Sequence, residues 1–456
     1  LAFKVREAGL KLYYQPRSVV VHHEGVSHGT DVNSGIKAYQ VENQRRFYER
    51  WHEVLKREHF PNGENVFRAR GRTGATQTIL IVDHYIPQPD RDAGSRTMWQ
   101  FIRMFVRKGF SVKFWPENLH NDPAYAPLLQ QHGVEVIYGA EYHQGFEQWM
   151  QQHAADIDVV LLSRPHIAVN FIEAVRRNSS VPLLYYGHDV HYLRIEDRLR
   201  VQPADKLLRA ECDKARKLEH EVWKLVDAVY YPSVSETQHV RAWLDEHAPK
   251  VHAHTIAAYA FDDFPEHPDE NLVNRHDLVF VAGFAHPPNV DAAEWFVREV
   301  LPLVRRRRPQ IHLDLVGSNP SDEVKALHGD GVTVTGFVTD EELAARYANA
   351  RVVVAPLRFG GGMKGKVIEA MRFGVPCVTT SIGVQGLEQT GGFLAAADTA
   401  EDFAELVLHL LDDDAAWRRN SAAGQAFVRA NFTEEAQWSE FAQELPRRVA
   451  AGERTP

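Results

Sequence analysis

The stretch RVVVAPLRFGGGMKGKVIEAMRFGVPCVTT, residues 351–380, indicates the fold most directly. It contains an apolar strand, a glycine-rich turn, an amphipathic helix and a second apolar strand. Because both strands are apolar throughout, we expect them to lie parallel in a sheet that is covered on both faces. A strand–helix–strand unit of this kind is typical of doubly wound α/β domains.

The same alternation of apolar strands and helix-length segments extends over two regions, 75–255 and 256–431. The predicted strands are TILIV (78–82), SVKFW (111–115), VEVIY (134–138), DVVLLS (158–163), PLLYY (182–186), AVYYPS (228–233), DLVFVAG (277–283), IHLDLVG (311–317), VTVTGFV (332–338), RVVVAPL (351–357) and PCVTTS (376–381). We therefore predict two doubly wound, Rossmann-like domains that face each other across a cleft. Ligands in such folds bind beyond the carboxyl ends of the strands.

Composition excludes several classes of protein. The chain has 456 residues, of which 44% are hydrophobic and 25% charged, as in ordinary globular proteins. Its net charge of -9 argues against nucleic-acid binding, and no apolar run approaches the roughly 18 residues of a membrane span. Two cysteines provide no disulfide framework and suggest a reducing compartment. Residues 1–74 form a separate N-terminal extension, whose end, NGENVFRARGRTGATQ, we predict to be a linker.

The glycine-rich turn has the properties of an anion site. Glycines allow a backbone to approach a phosphate, and a helix N-terminus adds free N–H groups and a positive dipole end. The candidate donor-binding residues here are Arg358, Gly361, Gly362, Lys364, Lys366 and Glu369, with the last accepting from a ribose diol. The G-x-G-x-x-G pattern at 360–365 comes too late in its domain for an NAD site. The alternative is a flexible turn followed by a solvated helix face.

Two other loops of the second predicted domain are candidates for the same ligand. Gly283 ends a strand and Asn289 precedes a helix, so Asn289 is either an N-cap or part of a helix end that faces a pyrophosphate. In VTGFVTDEEL (334–343), Gly336 and the backbone of Phe337 and Val338 could flank a nucleobase. Asp340 would then be the N-cap of the next helix.

In the first predicted domain, polar residues again follow the strands. Gly94 and Ser95 stand at a helix start, which suits a phosphate or simply a capped helix. His188 and Asp189 directly follow a strand and could hydrogen-bond a sugar or steer a proton. They could also be cap and turn residues, or His188 could bind a metal with His191, although no third ligand is evident nearby. Finally, RRRR (305–308) either touches acidic lipid headgroups or is a solvated helix end.

Several of these segments together resemble a known family. FVAGFAHPPN (280–289), LVG (315–317), VTGFV (334–338) and APLRFGGGMKGKVIEAMRFGVPCVTT (355–380) resemble the nucleotide-sugar-binding domain of glycosyltransferase family 4, which has the GT-B fold. The resemblance implies a glycosyltransferase that moves a sugar from a nucleoside diphosphate, such as a UDP-, GDP- or dTDP-sugar, to a glycan or lipid-linked acceptor, with retention and without a metal or other cofactor. Two alternatives remain: a nucleotide-sugar epimerase of GT-B-like fold, and a nucleotide-sugar-binding module without turnover.

The resemblance also assigns roles by position. Glu369 matches the second Glu of the family's E-x7-E motif, which holds the ribose, whereas the first Glu is replaced by Gly361. The usual Arg/Lys pair after the first strand of this domain is replaced by His286 and Asn289. The natural substitutes are Arg358, Lys364 and, as first choice, Lys366.

In the first domain, His188 matches the histidine that faces the transferred sugar, and Gly94 and Ser95 match the glycine-containing first loop. Residues 432–450 resemble the C-terminal helix that crosses back to that domain.

The N-terminal extension resembles a different family. LAFKVREAGLKLYYQPRSVVVHHEGVSHGTD (1–31) is similar to the tail of a glycosyltransferase family 2 domain, in which His22 or His23 would be inert without upstream partners. The sequence starts at Leu1 without Met, and we expect it to be a piece of a longer tandem transferase. The resemblance suggests bacterial O-antigen or capsule synthesis in the cytoplasm, with peripheral contact to the inner membrane.

Overall fold

The structure is a computed structural model that describes residues 1–10, 12, 18–21, 38–70, 77–201, 204–266, 272–360, 362–387 and 389–446. Within these residues the chain forms two parallel α/β domains behind a short helical extension. The extension contains the helices α1 (Ala2–Glu7), α2 (Ala38–Glu58) and α3 (Val66–Arg70).

The first domain is built on a parallel sheet whose strands, in spatial order, are β3-β2-β1-β4-β5-β6-β7. The strands are β1 (Thr78–Asp83), β2 (Ser111–Pro116), β3 (Glu135–Val136), β4 (Val159–Ser163), β5 (Leu183–Tyr186), β6 (Ala228–Tyr231) and β7 (His252–Thr255). The helices between them are α4 (Ala93–Arg107), α5 (Ala126–Gln131), α6 (Phe146–His153), α7 (Pro165–Asn178), α8 (His191–Val201), α9 (Lys206–Leu225) and α10 (Val234–His247).

The second domain has a parallel sheet in the order β10-β9-β8-β11-β12-β13. Its strands are β8 (Asp277–Val281), β9 (Leu313–Val316), β10 (Val332–Gly336), β11 (Ala350–Ala355), β12 (Cys377–Thr379) and β13 (Ala395–Ala396). Its helices are α11 (Pro287–Trp295), α12 (Leu301–Arg307), α13 (Asp322–Lys325), α14 (Asp340–Asn349), α15 (Gly365–Arg372), α16 (Ala400–Asp412), α17 (Asp414–Asn431) and α18 (Glu434–Ala442).

Both sheets reverse their strand order at one point, between β1 and β4 and between β8 and β11. In each sheet the connections on the two sides of this point run in opposite directions. They separate above the carboxyl ends of the two strands, and a crevice opens there. Apolar clusters cover both faces of each sheet. The predicted class, two doubly wound Rossmann-like domains, is confirmed.

A strand was not predicted where polar residues interrupt the apolar run. β7 was not predicted because its sequence, HAHT, carries two histidines at the exposed edge of the sheet. Several predicted runs were also too long: Gly283 and Gly317 lie just beyond β8 and β9. These glycines lie in the loops that follow the carboxyl ends of β8 and β9, beside the crevice.

The linker prediction for 62–77 is wrong over residues 66–70. These residues form α3, and Phe67 is buried in the core of the first domain, where it stacks on His153 with ring centroids 4.1 Å apart. The Arg68 guanidinium lies 3.3 Å from the Asp156 carboxylate. Apolar Val66 and Phe67 within a polar stretch were the missed signal. His22 and His23 lie outside the described residues.

Two segments connect the domains, and they run next to each other. The first runs from the end of β7 towards β8, and the second leads from α17 into α18. The Phe261 N–H donates to the Phe432 carbonyl at 2.9 Å, and the Gln437 amide donates to the Ala257 carbonyl at 2.8 Å. The segments are therefore bonded to each other as well as to the first domain, where Phe441 of α18 is fully buried. None of the described helices is both long and apolar enough to cross a bilayer.

Candidate active site

The switch point of the first domain holds a buried ion pair. Asp83 ends β1 and Arg164 directly follows β4, and the Arg164 Nε donates to Asp83 Oδ1 at 2.9 Å. Burial alone would raise the pKa of Asp83, but a hydrogen bond from His84 and the charge of Arg164 hold that pKa well below its usual range. The carboxylate is thus a fixed anion that orients the guanidinium.

Arg164 carries two further signs of a functional role. Its backbone φ is +63°, a left-handed conformation that costs a non-glycine residue free energy. Its Nη2 is buried and has no hydrogen-bond partner among the described residues. A buried donor without a partner is uncommon in native proteins and is typically explained by a missing ligand or water.

His188 stands beside this arginine, at the carboxyl end of β5. Its φ is also left-handed, at +60°, and its Nε2 lies 2.7 Å from Ser163 Oγ. Burial, followed by the charge of Arg164, lowers the pKa of His188 to about 3. The imidazole is therefore neutral at physiological pH and can exchange hydrogen bonds with a sugar without carrying charge.

The two domains meet over these residues in a cleft of about 320 Å³. One wall comes from the first domain and includes Gly94, Arg164 and His188. The opposite wall comes from the glycine-rich turn of the second domain, through Gly362 and Met363. The structure thus brings the predicted histidine and the predicted anion loop into one cavity.

Asp189 lies at the edge of this cleft, where it is engaged by its neighbours. Its carboxylate accepts from Arg194 Nη1 at 2.7 Å and lies 3.2 Å from His191 Nδ1. Burial would lower the pKa of His191, but the Glu219 hydrogen bond and the Asp189 charge raise it above its usual value. In the described part of the chain, His188 and His191 share no cluster of three metal-ligating side chains.

The start of α4 is capped by a residue that the sequence analysis did not name. Asp92 is the N-cap, and its carboxylate accepts from the Ser95 N–H at 2.8 Å and from Ser95 Oγ at 2.7 Å. Ser95 is buried and faces its cap, whereas Gly94 lines the cleft. A Cβ on Gly94 would lie 2.6 Å from Arg164 Nη2, so this glycine makes room for the guanidinium.

In the second domain the structure pairs two predicted residues. Lys366, in the first turn of α15, donates to Asn289 Oδ1, and the Asn289 amide donates to the Gly283 carbonyl at 2.8 Å. Asn289 is not an N-cap, because His286 occupies that position of α11. Burial and then the charge of Lys364 lower the pKa of Lys366 to about 8.

Lys364 faces inward. Its Nζ donates to the Gly360 carbonyl at 3.1 Å and also to the carbonyl of Gly362, so it shapes the glycine-rich turn. Burial lowers its pKa to about 8. Gly361, which stands between these two glycines, lies outside the described residues.

The remaining members of this stretch differ in how accessible they are. Arg358 is half exposed, and its guanidinium is paired with both carboxylate oxygens of Asp291. Glu369 lies one turn into α15 and accepts from the Tyr347 hydroxyl at 3.1 Å. Burial raises the pKa of Glu369, and the tyrosine hydrogen bond offsets part of that effect. Of the predicted cations, Arg358 is therefore the one whose charge is already balanced by a carboxylate, that of Asp291.

The loop after β10 presents an aromatic side chain to solvent. Gly336 has a φ of +73°, Phe337 is 81% exposed and Val338 is partly buried. The predicted cap Asp340 is wrong: Thr339 caps α14 in a capping box with Glu342. T-D-E-E at 339–342 carries that signature, so the sequence contained the correct answer.

Four residues around the cleft were missed by the sequence analysis. Asp83 and Arg164 each follow an apolar strand, and that position was the available signal. Met363 lies within the glycine-rich turn, and Tyr259 belongs to the first connecting segment. The Tyr259 ring packs on the start of α15, since a Cβ on Gly365 would lie 3.0 Å from its Cζ. Nothing in the local pattern around Tyr259 pointed to the site.

Comparison with known proteins gives a family match for the second domain. Residues 275–413, which include the Lys366 and Asn289 pair, match the family model described as glycosyl transferases group 1. A 44.6 kDa protein of the cps region of Klebsiella pneumoniae is 24% identical over 266 residues. That match spans 56% of this chain and 60% of the relative's length.

Several solved structures share the fold over most of this chain. Sucrose-phosphate synthase from Thermosynechococcus elongatus superimposes with a TM-score of 0.55 at 19% identity, over 80% of this chain and 98% of its own. HepE from Anabaena in complex with UDP gives 0.56 at 17% identity, over 81% and 99%. The α,α-trehalose 6-phosphate synthase from Burkholderia multivorans gives 0.54 at 12% identity, over 83% and 100%. The chain therefore has the GT-B fold, and residues 275–413 within it match the group 1 glycosyltransferases.

Proposed function

We propose that the protein transfers a sugar from a nucleoside-diphosphate donor to a glycan or lipid-linked acceptor during synthesis of a bacterial surface polysaccharide, such as capsule or O-antigen. One observation carries the proposal: a neutral, partly buried histidine and an arginine with an unused donor face the glycine-rich turn across a single cleft. Glycosyl transfer needs this combination of a sugar subsite beside an anion subsite.

The anion subsite consists of fixed positive charge and backbone donors. Lys366 lies in the first turn of α15, so its ammonium adds to the positive end of the helix dipole. Its hydrogen bond to Asn289 holds the ammonium beside the first loop of the same domain. We propose that the donor pyrophosphate binds here, and that Arg164 Nη2 donates to the donor from the opposite wall.

The chemistry follows from where charge develops. The bond between the sugar's anomeric carbon and the pyrophosphate oxygen breaks, the acceptor oxygen bonds to that carbon, and the acceptor hydroxyl passes its proton to the departing phosphate oxygen. Negative charge grows on the leaving pyrophosphate, and pre-positioned cations stabilise it. We propose that the acceptor attacks from the face that the leaving group occupied, which retains configuration, and that His188 and Asp189 orient the sugar.

The nucleoside would lie towards the second domain. We propose that Glu369, partly buried at the second turn of α15, accepts from a ribose diol and that the exposed ring of Phe337 contacts the base. HepE, with the same fold, binds UDP. The relative from the cps region supports a role in capsule synthesis.

Peripheral contact with the inner membrane stays a proposal. Of the basic run 305–308, Arg307 and Arg308 are paired with Asp412 across the end of α16. These pairs favour a solvated helix end over a lipid-binding patch.

The proposal is tested by incubating the protein with UDP-, GDP- and dTDP-sugars and measuring nucleotide release with and without candidate acceptors. We expect Lys366→Ala and Glu369→Ala to lose turnover, whereas Lys325→Ala, which removes an exposed lysine paired with Asp322 on α13, should not. Wild-type turnover in both site variants would show that the site assignment is wrong. Epimerised product without acceptor, or tight nucleotide binding without turnover, would instead favour an epimerase or a binding module.

A further inference from the structure

We propose that His252, His254 and Glu444 form a Zn²⁺ site that fastens the C-terminal segment to the edge of the first sheet. The histidines lie two residues apart on β7, the edge strand. Side chains at positions i and i+2 of a strand share one face of the sheet. Both imidazoles therefore face the segment that follows α18.

The third ligand comes from that segment. Glu444 Oε1 lies 2.7 Å from His252 Nδ1 and 2.7 Å from His254 Nε2. The three ligand atoms all lie within 4.8 Å of one another. Two imidazole nitrogens thus converge on one carboxylate oxygen, in a group drawn from parts of the chain that are about 190 residues apart.

A fourth residue orients the inner histidine. The Nδ1 of His254 lies 3.2 Å from Glu440 Oε2, on the far side of the ring from the proposed ligand atom. Metal-bound histidines typically donate their other ring N–H to a carboxylate, which fixes the tautomer and makes the ligating nitrogen more basic. The His254 ring is also stacked on Tyr230, with centroids 5.3 Å apart.

The donor set selects the class of metal. Two imidazoles and one carboxylate suit Zn²⁺, which binds such ligands at about 2.0–2.2 Å in tetrahedral geometry. Ligand atoms around the ion would then lie ~3.4 Å apart. The two 2.7 Å distances from Glu444 to the histidines need to open by less than about 1 Å to reach it. His252 is 62% exposed, so water can take the fourth position.

The site would secure a connection between the domains. β7 leads directly into the first connecting segment, and Glu444 follows α18 of the second. The Gln77 amide donates to the Pro446 carbonyl at 2.8 Å, so the chain is held on both sides of Glu444. The four residues do not line the cleft, so we expect the metal to stabilise the docked C-terminal segment without entering the chemistry.

The test is a titration of the tag-free, chelator-stripped chain with ZnCl₂, followed by calorimetry and thermal unfolding. We expect one tight Zn²⁺ per chain and a higher Tm with the metal. His254→Ala and Glu444→Gln should weaken binding by more than about 100-fold and abolish the Tm rise, since even outer-shell changes cost about 10–100-fold. Glu440→Gln should weaken Zn²⁺ binding by about 10–100-fold, the range for such outer-shell changes.

The matched control is His276→Ala, which removes an exposed histidine paired with Asp277 in the other domain and should leave binding unchanged. Co²⁺ in place of Zn²⁺ should give the visible absorption of a four-coordinate ion in the wild type and lose it in Glu444→Gln. If His254→Ala does not fold, Glu444→Gln carries the same expectation, because it keeps the side-chain volume. The absence of stoichiometric binding, or equal binding by wild type and Glu444→Gln, would overturn the proposal.

Discussion

The backbone at two residues shows where this protein stores strain. Arg164 and His188 both adopt left-handed φ angles directly after neighbouring strands of the first sheet, and both line the cleft. Such conformations cost about 1–3 kcal/mol each and persist where the surrounding structure enforces them. Here the enforcement comes from the Asp83 ion pair and the Ser163 contact. The strain places one guanidinium nitrogen and one imidazole edge next to Gly94.

Replacing His188 with Ala should reduce kcat/KM. Loss of one hydrogen-bonding group at a site of developing charge typically costs about 10²–10³-fold. Because the pKa of His188 is lowered to about 3, we expect the wild-type pH profile to show no titration of this group between about pH 5 and 8. Initial rates across that range provide the measurement.

The control for this prediction is His247→Ala, which removes an exposed histidine at the end of α10. It should leave kcat/KM unchanged. A His188→Ala variant with wild-type kcat/KM would contradict the role we assign to the imidazole.

Unlike His188, Lys366 should make nucleotide binding depend on pH near neutrality. A lysine with a pKa of about 8 is charged below that pH and neutral above it. The affinity for a nucleoside diphosphate should therefore fall as the pH rises from about 7 to 9, and Lys366→Arg should remove that fall because arginine stays protonated up to about pH 12. Calorimetry with UDP at several pH values measures it. A Lys366→Arg variant that keeps the full pH dependence would assign the effect to another group, such as Lys364.

At the scale of secondary-structure elements, the crevice of the second domain depends on one close backbone contact. Gly317 follows β9 with a φ of +149°, and a Cβ there would lie 1.8 Å from the Ala282 carbonyl oxygen of the neighbouring loop. Only glycine permits this approach, which sets the loops after β8 and β9 side by side. Any larger residue must push them apart.

Gly317→Ala should therefore lower the free energy of unfolding by more than Gly329→Ala does. Gly329 also has a positive φ, +120°, but a Cβ there meets no atom within 4 Å. Its substitution should cost only the backbone strain, about 1–3 kcal/mol. Urea unfolding of both variants gives the comparison. Equal losses would mean that the contact with Ala282 is relieved without cost.

Sequence patterns predicted the elements better than their ends. Apolar runs identified eleven of the thirteen described strands, because burial on both faces leaves no alternative composition. The strand HAHT (β7) was not predicted, because a strand at the edge of a sheet carries polar residues on its exposed side. Lys366 and Asn289 were predicted to serve one ligand, and the structure pairs their side chains. The pattern did not predict that Lys364 turns under the loop, because its direction depends on packing.

The residues at the strand ends were harder to predict. Arg164 and His188 owe their positions to left-handed backbone angles and to partners 81 and 25 residues away. No local pattern encodes those contacts. His188 was identified because it follows a predicted strand, and the family resemblance then assigned it the same sugar-facing place, whereas Arg164 was missed.

At the scale of the whole molecule, the two domains are joined by paired segments. Phe441 of α18 is fully buried in the first domain, 5.1 Å from the Phe101 ring and 4.7 Å from the Tyr230 ring. The helix that follows the second domain thus packs into the core of the first, and this contact ties the two domains together.

Phe441→Ala should cost about 3–5 kcal/mol of unfolding free energy, as is usual for truncation of a buried phenylalanine. Phe337→Ala is the matched control, because that ring is 81% exposed and its loss should leave stability unchanged. Chemical denaturation of both variants, followed by tryptophan fluorescence, measures the difference. A Phe441→Ala variant as stable as Phe337→Ala would contradict the docking of α18.

The most direct test of the account is a crystal structure of the protein with UDP, GDP or dTDP at saturating concentration. We predict the diphosphate in the cleft between the domains, with its oxygens within hydrogen-bonding distance of the Lys366 ammonium and the N–H groups at the start of α15, and the ribose at Glu369. A nucleotide bound at any other surface, or this cleft closed by side chains while nucleotide is present, would contradict the central claim.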